Sequence, residues 1–194
     1  MPQIARESLL SLEAYARSRS EFRARAIDHK RLRTVHVGDH LTLQFEDELT
    51  VRYQIQEMLR IEKVFEEAGI QEELDAYNPL VPDGTNFKAT MLIEYEEAAE
   101  RVAALERLVG IERRVWVEIE GSPRVYAIAD EDLPRETETK TAAVHFLRFE
   151  LSPEMVSAAR RGAGLAVGVD HPQYEAVVPA VAPATRAALA ADLA

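Results

Sequence analysis

The chain contains no cysteine. That absence excludes a disulfide framework, a thiolate zinc site, an iron–sulfur cluster held by its own thiolates, and a cysteine nucleophile. Glycine and proline are sparse, at 8 and 9 in 194 residues, which excludes a collagen-like or linker-rich chain. No apolar run approaches the roughly 20 residues of a membrane span. The opening MPQIARESLL has no continuous apolar core of the kind a secretory signal needs. These features read as a soluble, cytoplasmic protein without membrane contact. The motifs GxGxxG, Walker A, GxSxG and HExxH are also missing. What is present is a hydrophobic fraction of 47%, too high for intrinsic disorder, in a length suited to one domain over 1–194 with a sizeable core.

Charge is unevenly spread. Residues 1–40 hold eight bases (Arg6, Arg17, Arg19, Arg23, Arg25, Lys30, Arg31, Arg33) against five acids, whereas residues 41–150 hold 12 bases and 25 acids. Clustered bases can bind nucleic acid by releasing counterions from phosphates. Here the acidic remainder would repel the same phosphates. The better reading is a basic N-terminal helical segment, 1–33, packed against the acidic body of this subunit or its twin.

Hydrophobic periodicity and cap residues outline the elements. SLLSLEAYARSR (8–19) and SEFRARAIDHKRLR (20–33) read as two helices capped by Ser8 and Ser20. TVHVG (34–38) and LTLQFE (41–46) form a hairpin. Residues 47–68 are one long central helix closed by Gly69, followed by a loop excursion over 70–86. FKATMLIEY (87–95) is a strand and 96–110 an amphipathic helix. RVWVEIEG (114–121) and RVYAIAD (124–130) pair as a hairpin, and TAAVHFLRFEL (141–151) is a long strand. Ser152 and Pro153 start a short helix, 164–171 and 173–181 are a last strand pair, and 183–193 is a terminal helix. The expected fold is α+β, with one mainly antiparallel sheet of six to eight strands and helices packed on one face.

Two polar residues break the pattern. On the central helix Val51, Ile55, Met58, Ile61 and Phe65 share a sector, and Glu62 and Gln54 lie inside it. On the strand 141–151, His145 shares the apolar face of Ala143, Leu147, Phe149 and Leu151. A carboxylate on a core-facing stripe must be paired, ligated or neutralised. The pair then has three readings: a structural contact, with His145 hydrogen-bonded and Glu62 answered by an arginine; a divalent-metal site of Glu62, His145 and Glu66; or a general acid–base couple of Glu62 and His145. Gln54 would assist either of the last two. No ExxH or HxxxH spacing accompanies them. The acidic run Ile128–Asp132 reads as a solvated turn or cap, and His29, His36, His40 and His171 as surface histidines.

Four long blocks carry a resemblance: HLTLQFEDELTVRYQIQEMLRIEKVFEE (40–67), ELDAYNPLVPDGTNFKATMLIEY (73–95), GIERRVWVEIEG (110–121) and IADEDLPRETETKTAAVHFLRFEL (128–151). The chain resembles an uncharacterised bacterial family of about this length whose function is unknown. The resemblance implies genes that lie beside those of rubrerythrin-like di-iron proteins and iron–sulfur oxidoreductase subunits, and so a role in peroxide defence or linked electron transfer. It brings no catalytic residues with it. A chain without cysteine would serve such a system as a non-enzymatic accessory, docking on a redox protein partner through its charged surfaces and itself forming a homo-oligomer. The alternatives are a small metal-binding protein or enzyme with its site between the central helix and strand 141–151, and a nucleic-acid-binding regulator.

Overall fold

The computed structural model describes residues 4–194, so the first three residues of the basic segment lie outside the described residues. The two expected N-terminal helices are one, α1 (Leu12–Arg31), capped by the Ser11 hydroxyl, which accepts from Ala14 N–H. Ser20, expected to cap a second helix, lies inside it, and no glycine or proline falls within its span. Two of its bases, Arg19 and Arg31, pair with acids of the same chain. Arg19 makes two bonds of 2.8 and 2.9 Å to Glu57. Arg33, just past the helix end, is buried between Asp47 and Asp192.

The central helix is shorter than its periodicity suggests. α2 (Glu48–Glu62) opens on a capping box between Asp47 and Thr50 and stops where Lys63 turns left-handed at φ 55°. A second helix, α3 (Glu67–Tyr77), then occupies much of the segment expected to be a loop. Gly69 is no cap; it lies inside α3, where an added Cβ would fall 2.7 Å from Val64 Cγ1. The buried stripe of α2 is Thr50, Val51, Ile55, Gln56 and Leu59. Ile61, in the last turn of α2, and Phe65, beyond its end, are exposed rather than part of that stripe.

The class is α+β, and the strands are antiparallel throughout. Among the described residues they divide between two sheets rather than one. The first has the order β1 (Thr34–Val37), β2 (Leu41–Phe45), β3 (Asn86–Ile93), β7 (Val144–Glu150), β6 (Ile128–Ala129). The second runs β5 (Val125–Tyr126), β4 (Val115–Ile119), β8 (Leu165–His171), β9 (Tyr174–Val178). Segment 124–130 links them. It pairs with β4, turns at buried Ala127, whose N–H donates to Val115 O at 2.9 Å, and then pairs with β7.

One core joins both sheets with α4 (Ala98–Arg107), α5 (Pro153–Arg160) and α6 (Pro183–Ala190). Phe45 lies 6.0 Å from Phe87 and 6.3 Å from Phe149 at its centre. Burying each ring is worth about 1.5–3 kcal/mol. A second, smaller cluster holds α2 and α3 together through Val51, Ile55, Leu59, Ile70 and Leu74. No helix of the described residues is long and apolar enough to cross a membrane.

Candidate functional site

Period-two alternation along β7 puts His145, Leu147 and Phe149 into the core and turns Phe146 and Arg148 the other way. The outward pair floors a cleft of about 320 Å³. Met58 of α2, with Glu73 and Tyr77 of α3, forms one wall, and Glu131, Asp132 and Arg135 from the loop after β6 form the other. The cleft therefore lies between the central helix and strand 141–151, where the sequence placed a site, but other residues line it.

Lys88 of β3 also reaches the cleft and stands in register with Arg148 on β7. Like charges directly opposite on one sheet face are destabilising. Arg148 is answered: its Nε and Nη2 donate to the two Glu131 carboxylate oxygens, each at 2.8 Å. Arg135 is answered likewise by Asp132, at 2.5 and 2.6 Å, and its guanidinium lies 4.5 Å from the Phe146 ring centre. Lys88 Nζ donates to the Pro79 carbonyl and has no carboxylate partner among the described residues. Burial pushes its pKa down. Glu73 across the cleft has no ion pair either, and burial, with Glu62 and Glu72 nearby, pushes its carboxyl up.

The structure does not bring Glu62 and His145 together. Glu62 ends α2 and is exposed, with no arginine answering it among the described residues, because the stripe that was to bury it stops at Leu59. Glu66 is exposed at the N-terminus of α3, and half-buried Gln54 faces the Tyr77 hydroxyl. Among the described residues no three His, Asp or Glu side chains converge in a metal-holding arrangement.

His145 is buried at 0% exposure and finds its partners elsewhere. Its Nδ1–H donates to Asp130 Oδ2 at 2.5 Å, and Nε2 lies 2.9 Å from Thr141 Oγ1 and 3.1 Å from Ala142 O. Asp130 also accepts from Phe146 N–H at 3.0 Å and from Arg135 at 3.3 Å. It sits left-handed at φ 52°, a conformation aspartate tolerates better than most residues. Thr141 Oγ1 in turn lies 3.4 Å from Glu112, whose carboxyl burial pushes up. Hydroxyl, imidazole and carboxylate in this order form the set that activates a nucleophile. With Thr141 at 1% exposure, however, no substrate carbonyl reaches the hydroxyl. The network is a latch that fixes the loop after β6, and with it one wall of the cleft.

Sequence reasoning passed over Lys88 and Glu73. The alternation of FKATMLIEY does place Lys88 on the face opposite Phe87 and Ala89, but nothing local marks it as half-buried. The acidic run 128–132 was read as solvated, whereas Asp130 is held inside the latch. His171 is a further correction. It is buried against Val109 O at 3.1 Å rather than lying on the surface.

No curated protein matches the chain. A crystal structure of a protein of unknown function from Burkholderia pseudomallei is similar over 100% of both chains, with 56% identity and a TM-score of 0.95. The family model described as protein of unknown function (DUF3501) matches residues 3–193. The chain thus belongs to the DUF3501 family, whose function is not known.

Proposed function

We propose that this chain is a non-enzymatic accessory protein of a rubrerythrin-linked redox or oxidative-stress system, and that it works by docking. The observation that supports this best is the corner between α2 and α3, where Ile61 and Phe65 are 59% and 73% exposed. Single exposed apolar residues are ordinary. Here a phenylalanine and an isoleucine four residues apart stand among the exposed carboxylates Glu62, Glu66, Glu67 and Glu72. An aromatic anchor inside a charged rim has the anatomy of a binding hot spot. The partner face that fits it is basic with an apolar notch, and the charge of residues 41–150 would steer its approach. Any thiolate-held cluster in such a system belongs to the partner, since this chain has no cysteine. Self-association is part of the same proposal.

Calorimetric titration of the purified chain with a purified rubrerythrin-like protein from the same cell tests this reading. We expect a complex at about 50 mM salt that weakens several-fold at about 300 mM, and that loses at least about tenfold in affinity in Phe65→Ala. Phe65→Ala should leave stability within about 0.5 kcal/mol, as exposed sites do. An absence of heat at low salt, or an unchanged affinity in Phe65→Ala, would oppose the proposal.

A second reading is favoured by the cleft itself. Its volume falls within the range of small-molecule sites, and it holds two titratable groups with displaced pKa values. In that reading the chain is a small-molecule-binding protein or enzyme, with Glu73 and Lys88 in the places that Glu62 and His145 were expected to fill.

A further inference from the structure

Resting on that second reading, we propose that the cleft between α2–α3 and the β3–β7 face binds a free amino acid with a large apolar side chain. Six charged side chains line it, and four of them cancel in pairs, Arg148 with Glu131 and Arg135 with Asp132. Both pairs are bidentate and leave little capacity for a ligand. One ammonium, Lys88, and one carboxyl, Glu73, remain without a counter-ion among the described residues. A half-buried lysine set directly opposite an arginine violates a local rule of sheet pairing, and within the described residues its Nζ is met by the Pro79 carbonyl and by carboxylates only at longer range, Asp83 foremost. A bound carboxylate would add the direct ion pair that Lys88 lacks among the described residues. A bound ammonium supplies a partner to Glu73, whose charged form burial and neighbouring acids disfavour.

The rest of the lining is apolar and aromatic, with Met58, Leu80 and Phe146 among it. The cleft volume of about 320 Å³ corresponds to about ten waters. That suits one amino acid with a side chain the size of leucine, methionine or phenylalanine. A small acid or a small amine alone would satisfy one group and leave the other unmatched.

The test is a titration of the ¹⁵N-labelled full-length chain with L-phenylalanine, L-leucine and L-methionine, followed by amide shifts. Two probes of single charge accompany them, 3-phenylpropanoate and phenethylamine. We expect shifts confined to the amides around Tyr77 and Phe146–Arg148, with a Kd of about 1 mM or tighter for at least one amino acid. Each single-charge probe should bind about tenfold more weakly than L-phenylalanine, and Lys88→Met and Glu73→Gln should each weaken the amino acid by a similar factor. Lys88→Met relieves the repulsion with Arg148, so the variant keeps its fold and its thermal midpoint. Equal binding of either single-charge probe, or undiminished binding in either variant, overturns the amino-acid assignment while the cleft stands as a site. No shifts with any of the five probes at about 10 mM overturns the cleft reading as well.

Discussion

Replacing Asp130 by alanine removes the acceptor from a histidine that has no access to water. His145 Nδ1–H, buried at 0% exposure, loses its only partner, which costs about 1–3 kcal/mol. The Phe146 amide loses its 3.0 Å bond to the same carboxylate, for about 1 kcal/mol more. At φ 52° alanine also lacks the local hydrogen bonds that make the left-handed region tolerable for aspartate, a further cost of about 1–2 kcal/mol. Together these give a loss of about 3–6 kcal/mol. Asp130→Asn separates the contributions. It retains left-handed tolerance and an oxygen for the Phe146 amide, and should cost about 1–2 kcal/mol for the lost charge. Trp116, buried and the single tryptophan, reports unfolding in urea. With a slope of about 2 kcal/mol per molar, Asp130→Ala should lower the midpoint by about 1.5–3 M, with the slope unchanged. A drop under about 0.5 M, or an asparagine variant as damaged as the alanine one, would show that His145 is not held as described.

Other perturbations probe different parts of the fold. Gly168 lies against Trp116, and an added Cβ would fall 2.3 Å from ring atom Cζ2. Gly168→Ala should therefore cost at least about 1–3 kcal/mol by overpacking and shift the tryptophan emission, whereas an unchanged thermal midpoint would contradict that contact. Asp192 shares the Arg33 guanidinium with Asp47, and burial raises its pKa to about 6 despite that cation. The folded state then holds a proton that the unfolded chain, near 3.8, has released. Stability should accordingly rise as pH falls from 7 through 6 toward 4, and Asp192→Asn should flatten that slope. Glu57 behaves oppositely. Its hydrogen bond from Arg19, with those from Tyr15 and Arg60, lowers it to about 2 from 4.5. Its stabilisation is complete above pH 4.5, fades as pH drops toward 2, and should vanish in Glu57→Gln when unfolding is followed across that window.

Much of the local structure was legible because local chemistry decides it. The first hairpin, the Ser152–Pro153 helix start, the amphipathic α4 and the β8–β9 pair all sit where alternation and cap residues place them. The readings that failed depended on events the pattern does not encode. Lys63 adopts a left-handed cap without being glycine, so the apolar period runs on past the true end of α2 to Phe65, while Ile61 and Glu62, in the last turn before that cap, are already exposed. Ala127 hands one apparent strand from the second sheet to the first, a choice made by long-range pairing rather than by its neighbours. His145 was correctly read as inward-facing from period two alone. Its partner was not legible, since Asp130 comes from a turn fifteen residues away that looks solvated in sequence. Lys88 and Glu73 stand out only once α3 is seen to be a helix lying over β3 and β7.

Hydrogen-exchange mass spectrometry of the chain, alone and with a purified rubrerythrin-like protein at low salt, tests the central claim most directly. The docking account predicts protection on binding confined to residues 58–73, around Ile61 and Phe65, and absent in Phe65→Ala. Protection on the basic face of α1 instead, or none at all with the partner in excess, would contradict it.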